Sequence, residues 1–245
     1  MKSLSQSDLL LARETARNLA RGDGLAQSGL DTLRANWEPR VDPPPAERAE
    51  QFAIVSPAGV PTGVIGPRWM FHVFGLRHRA IEIGLATSSG LIALQRRSLT
   101  KAEWPGALDM AVSGHVSQAR DGSNSTFEEA AWKEMAEEIG LERSEASVSL
   151  IEGILTAVGR PYYCFEGDPK RNPPFLDAEV RQVYAATLSP SGLAGLRFAD
   201  DEVDGIFLAS VGAAWQILRD GDIASGLRYS LPRYLDWLEQ GTDAV

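Results

Sequence analysis

Between Thr126 and Gly140 the chain reads Thr-Phe-Glu-Glu-Ala-Ala-Trp-Lys-Glu-Met-Ala-Glu-Glu-Ile-Gly, a run with both ends of a helix written into it. Thr126 followed three residues later by Glu129 is a capping box, and Gly140 supplies the C-terminal stop. Phe127, Ala131 and Met135 recur at i, i+4 and i+8, a stripe that must be buried, whereas Glu134, Glu137 and Glu138 crowd within one turn on another face. Like charges at these spacings repel by about 0.2–0.5 kcal/mol per pair, and the C-terminal end of a helix disfavours anions further. Such a cluster is either a solvated face or the seat of a cation, and three carboxylates suit a hard divalent ion such as Mg²⁺ or Mn²⁺.

The segment Lys133 to Leu141 resembles the core of the Nudix box, G-x₅-E-x₇-R-E-U-x-E-E-x-G-U with U a bulky aliphatic residue. The resemblance implies a loop-helix-loop that binds divalent metal on Glu134, Glu137 and Glu138 and hydrolyses a nucleoside diphosphate derivative or a related small diphosphate. Lys133 stands where the pattern has arginine, so the charge is kept and the planar fork lost. Ser125 falls on the isolated glutamate, and Gly114 lies eleven residues before it where the pattern wants six. The longer loop holds Asp121, a candidate substitute carboxylate.

The likeness reaches from about Glu50 to Leu218. His78-Arg79-Ala80-Ile81, Gln95-Arg96-Arg97-Ser98, Lys101, Trp104-Pro105-Gly106 and Gly114-His115 are similar to the approach to the box in a Nudix branch that includes type 1 isopentenyl-diphosphate isomerase and related hydrolases. Two cations four residues apart after a strand can both reach a diphosphate. In the isomerases the residues matching Arg97 and Lys101 do contact it, and His78 is placed with them on the substrate side. The resemblance also implies a metal-ligand role for His115. Ser113, however, stands where the isomerases carry a catalytic cysteine, and a serine does not supply the acid that allylic proton transfer needs, which disfavours isomerisation. Glu179 is either a further metal ligand or base, or a loop carboxylate. The Lys-Glu pair in the box and the terminal helix also resemble Nudix proteins of thiamin diphosphate metabolism.

A net charge of −9 argues against a nucleic-acid backbone or an anionic membrane as partner, so an anionic small molecule needs local cations or metal. The single cysteine, Cys164, excludes an intrachain disulfide and fits a reducing compartment, with the cytoplasm as the expected location. No apolar run reaches the length of a membrane span, and no signal segment is read at the N-terminus. Helical spacing in Leu9 to Ala20 and Leu30 to Trp37, followed by Asp42-Pro43-Pro44-Pro45, marks residues 1–46 as a helical extension, a packing element or dimer arm, before a main domain at 47–245. A homodimer is therefore a candidate assembly. Short apolar runs at Phe52 to Val55, Val60 to Ile65, Ala80 to Leu85, Leu91 to Gln95, Met110 to Val112, Ser147 to Val158, Tyr162 to Glu166 and Val180 to Leu188 read as strands, with helices after the box and at the C-terminus. Without strict βαβ alternation this is an α+β fold with a mixed sheet, and the resemblance implies a Nudix-type α/β/α sandwich.

Overall fold

Ser5 accepts a hydrogen bond from the Asp8 N–H (3.2 Å) and so starts the first helix, in which Leu9, Ala12 and Ala16 form the buried stripe. In the computed structural model, which describes residues 1–119, 123–199 and 201–242, the chain runs α1 (Gln6–Asn18), α2 (Gln27–Val41), α3 (Pro45–Ala49), β1 (Gln51–Val55), β2 (Pro61–Pro67), α4 (Arg68–Phe74), β3 (Arg77–Thr87), β4 (Ile92–Arg97), β5 (Leu108–Met110) and β6 (Val112–His115). It continues through α5 (Phe127–Ile139), α6 (Arg143–Ser149), β7 (Leu150–Asp168), β8 (Phe175–Leu188), α7 (Pro190–Ala194), β9 (Val203–Ala209), α8 (Val211–Asp220) and α9 (Leu227–Thr242). The class is α+β with a mixed sheet, as the strand and helix pattern implies. Sheet order is β5-β4-β3-β8-β7, with β6 beside β3 and β9 beside β4; β1 and β2 form a separate pair. No described helix is long and apolar enough to cross a membrane.

The residues group into two units, one of 1–80, 115–126 and 161–181, the other of 81–114, 127–160 and 182–245. In the first, the proline run after α2 works as punctuation: Asp42 takes the left-handed conformation (φ 45°) that ends α2, and Pro45 opens α3. Leu9, Ala12, Ala16, Leu30, Trp37 and Val41 of the N-terminal helices lie in one core with Phe52, Ile54, Trp69, Phe71, Phe74 and Leu76. β1 and β2 pair antiparallel with Phe52 opposite Gly66, against which Leu30 packs so closely that a Cβ would lie 2.7 Å from its Cδ2. Helix α4 is buried from Trp69 through Phe74 and stops at Gly75 in the left-handed conformation (φ 63°). The flanks of the long box loop are pinned by a hydrogen bond from Gln118 Nε2 to Asn124 Oδ1 (2.6 Å), while Asp121 falls outside the described residues.

In the second unit β4 is paired antiparallel with β3, β5 and β9, with Gln95 opposite Asp109 on β5 and opposite Ile206 on β9. Tyr234 of α9 lies flat on Gly84 of β3, where a Cβ would come within 2.5 Å of its ring. The box helix α5 buries Ala131, Met135 and Ile139. At its end Gly140 is left-handed (φ 72°) and the Leu141 N–H donates to the Met135 carbonyl (3.1 Å), the closure expected of a glycine stop. The two strands expected within 147–166 are one long strand, β7, and the run expected at 110–112 divides into β5 and β6.

Candidate active site and metal centre

On α5 the three box glutamates have three different surroundings. Glu134 lies against Gly114, where an added Cβ would be 2.4 Å from its Cδ, so the glycine is needed for the strand to approach this carboxylate. Glu137 is exposed, and Lys133 Nζ bridges Glu134 Oε1 (2.8 Å) and Glu137 Oε2 (2.6 Å). Partial burial works against the Lys133 ammonium, but the two carboxylates outweigh it and raise its pKa. Glu138 is only 2% exposed, which rules out a solvated face for it. Its Oε2 accepts from the Ser113 N–H (3.0 Å) and from Gln95 Nε2 (3.2 Å). Burial, and next the charge of Glu134, push Glu138 well above the usual carboxylate range, with the Ser113 N–H opposing them.

The basic pair expected to grip a diphosphate is engaged within the protein. Arg97 donates through Nε and Nη2 to the Glu103 carbonyl (3.2 and 3.1 Å) and through Nη1 to Asp109 Oδ2 (3.1 Å). Lys101 Nζ is paired with the Glu202 carboxylate. Ser125, at the position of the family's isolated glutamate, presents its carbonyl to Arg79 Nη2 (2.6 Å).

In the first unit the chain's three histidines meet. His72 comes from α4, His78 from β3 and His115 from the end of β6; Asp177 and Glu179 come from β8, where residues two apart share a face. One ligand atom each from His72, His78, His115 and Asp177 lies within 4.8 Å of all the others, and this is the one such group of three or more donors among the described residues. His78 Nε2 is 3.5 Å from Asp177 Oδ1 and 3.8 Å from Glu179 Oε1, His72 Nε2 is 4.0 Å from Asp177 Oδ1, and His115 Nε2 is 3.4 Å from Glu179 Oε1. Phe52 walls the group, stacked on His78 at 4.9 Å and tilted against His115 at 4.9 Å.

Burial pushes all three imidazoles down, His72 and His115 well below their ordinary value. They are therefore neutral near pH 7, the form that ligates metal. His78 Nδ1 lies 3.1 Å from the Leu76 carbonyl, which fixes that nitrogen as donor and leaves Nε2 as the ligand atom. His72 Nε2, His78 Nε2 and Asp177 Oδ1 are buried without a hydrogen-bond partner. Orphaned acceptors converging in this way cost free energy unless a cation holds them, so the donor set fits a divalent metal.

From the sequence the expected metal ligands are Glu134, Glu137, Glu138, Glu179 and His115, with His78 on the substrate side; His72 and Asp177 are not among them. A usable signal was present: the chain has only three histidines, and Asp177-x-Glu179 at the head of a strand puts both carboxylates on one face.

No protein-family profile matches the chain. Nudix hydrolase 3 of Arabidopsis thaliana is 30% identical over 159 residues, 64% of this chain and 19% of the relative. The chain thus spans about a fifth of the length of the relative it matches. Over part of its length the chain is thus similar to a Nudix hydrolase. Among solved structures, DR0079 from Deinococcus radiodurans superposes with a TM-score of 0.48 at 18% identity, covering 73% of this chain and 94% of that one. A MutT NUDIX hydrolase from Burkholderia pseudomallei gives 0.39 at 17% identity, covering 56% and 84%.

Proposed function

We propose that this chain is a divalent-metal-dependent hydrolase of a diphosphate linkage in a small organic molecule, a nucleoside diphosphate derivative or a related diphosphate. The observation that carries the metal dependence is the convergence of His72, His78, His115 and Asp177 with orphaned buried ligand atoms, supported by Glu179 beside them. The diphosphate chemistry rests on the box, whose Glu134, Glu137 and Glu138 are kept with Lys133 among them. A divalent cation would neutralise diphosphate oxygens and lower the pKa of a water molecule. Mg²⁺ suits the carboxylates of the box, and Mn²⁺ suits the imidazole-rich set as well. Glu134 or Glu179 would take the proton from the attacking water. Arg97 and Lys101 would serve the substrate only by giving up part of their present pairing, so Asp109 and Glu202 would hold them ready for it. Residues 1–46 are read as a packing extension of the main domain rather than as catalytic machinery, and a homodimer in the cytoplasm suits the chain.

A second reading, isomerisation of an isoprenoid diphosphate, is favoured by the three-histidine centre, since His115 matches a metal ligand of the isomerases. Ser113 opposes it, lacking the acid that the proton transfer needs. The test is phosphate or diphosphate release from nucleotides, isoprenoid diphosphates and thiamin diphosphate, with Mg²⁺, with Mn²⁺ and with chelator, the products being identified. The hydrolase reading expects metal-dependent release from at least one substrate, lost in Glu137→Gln and in His115→Ala. Double-bond migration without release would establish the isomerase. No reaction with any compound, together with ligand-raised melting temperatures, would leave a binding module.

A further inference from the structure

We propose that Arg181, backed by Glu166, is the positioning residue of the histidine centre: it occupies one oxygen of Glu179 and so leaves only the other facing the histidines. The proposal rests on the reading of that cluster as a metal centre. Arg181 is 5% exposed, and both Nε (2.8 Å) and Nη2 donate to the same oxygen, Glu179 Oε2. The opposite oxygen, Oε1, is the one near His115 Nε2 (3.4 Å) and His78 Nε2 (3.8 Å). Glu166 Oε1 stands 3.9 Å from Arg181 Nη1, and Cys164 Sγ lies 4.0 Å from Glu179 Oε2, so the clamped oxygen faces the protein interior.

The arrangement follows from strand geometry. Asp177, Glu179 and Arg181 alternate along β8 and share one face, so one strand delivers two carboxylates and the cation that orders one of them. A guanidinium that spends two donors on one carboxylate oxygen fixes where that oxygen sits, which the point charge of a lysine would do less well. The consequence is a count of donors. One ligand atom each from His72, His78, His115 and Asp177 converges, Glu179 Oε1 lies beside His115 and His78, and Glu179 Oε2 is held by Arg181. An ion held there through only one oxygen of Glu179 would leave room for water or a substrate oxygen. Freed from Arg181, Glu179 would take that place with its second oxygen.

The readout is the water-proton relaxivity of Mn²⁺ bound to the full chain after chelator treatment, at substoichiometric Mn²⁺, since relaxivity reports exchangeable water on the ion. His115→Ala is the control that the histidine centre is the site being read. Arg181→Met is expected to bind Mn²⁺ with relaxivity lowered by about twofold or more, because an outer-shell partner orients the ligand it touches. Arg181→Lys is expected in between. Should Arg181→Met fail to fold with Glu166 and Glu179 left uncompensated, the double variant Arg181→Met, Glu166→Gln removes the cation together with one of its anions and carries the same expectation. Unchanged or raised relaxivity in the folded Arg181 variants overturns the positioning role alone. A parent chain that binds no Mn²⁺, or binding that His115→Ala leaves intact, overturns the metal-centre reading and this proposal with it.

Discussion

At Gly114 there is no room for a methyl group: its carbon would lie 2.4 Å from Glu134 Cδ and 2.5 Å from Oε2. Gly114→Ala must therefore displace the Glu134 carboxylate, at a cost of about 1–3 kcal/mol in stability if the helix resists. The account expects turnover to fall by about tenfold or more, because a misplaced catalytic group loses its alignment; turnover within twofold of the parent would remove Glu134 from the chemistry. Glu137 and Glu138 separate function from stability in different ways. Glu137 is exposed, so Glu137→Gln should shift stability by no more than about 0.5 kcal/mol while lowering kcat by about a hundredfold or more. Glu138 is buried beside Glu134 and its pKa is raised, so its ionised form is disfavoured in the folded state. An unfolded glutamate is ionised at pH 7.5, and the cost of burying that charge disappears in Glu138→Gln, whose amide oxygen still accepts from Ser113 and Gln95. The metal-free variant should melt at or above the parent temperature and be inactive; a melting point lowered by several degrees would contradict this assignment.

Among the elements, α5 was legible from sequence because both of its ends are local chemistry: a capping-box pattern before Phe127 and a glycine at 140 that adopts positive φ. Gly140→Ala puts a Cβ at a left-handed position, 2.9 Å from Arg197 Cβ and 3.2 Å from its carbonyl. The loss should be about 1–3 kcal/mol in chemical denaturation, and a change under about 0.3 kcal/mol would show that the end of α5 relaxes freely. Helix α4 was not legible. Trp69 to Phe74 are all buried, so no polar face marks a helical period, and the short run reads equally as strand or as nothing. That gap concealed His72, the one histidine that needed α4 to bring it to the others. Strands β1, β3 and β4 were found through their apolar runs, whereas Asp177 was passed over because its partners lie about a hundred residues earlier in the chain, and pairing at that distance leaves no mark in local composition. Arg97 and Lys101 show the reverse: their spacing suggests a shared grip on a diphosphate, whereas in the structure Arg97 pairs with Asp109 and Lys101 with Glu202.

For the molecule as a whole, the proposed function requires that an acidic chain of net charge −9, which gathers three histidines and a carboxylate, draw on a cation both for its chemistry and for part of its stability. Adding Mn²⁺ to chelator-treated protein should raise the melting temperature, by an increment that grows with the logarithm of free metal above the dissociation constant. His72→Ala should abolish most of that increment; an equal increment in parent and variant would place the stabilising ion elsewhere. The most direct measurement is diphosphate hydrolysis by the chelator-treated full chain as Mg²⁺ or Mn²⁺ is titrated back across the substrate panel. The account predicts no turnover without metal and a saturable rise to metal-dependent cleavage of at least one small diphosphate. Turnover indifferent to chelator, or none at any metal concentration with any substrate, would contradict it.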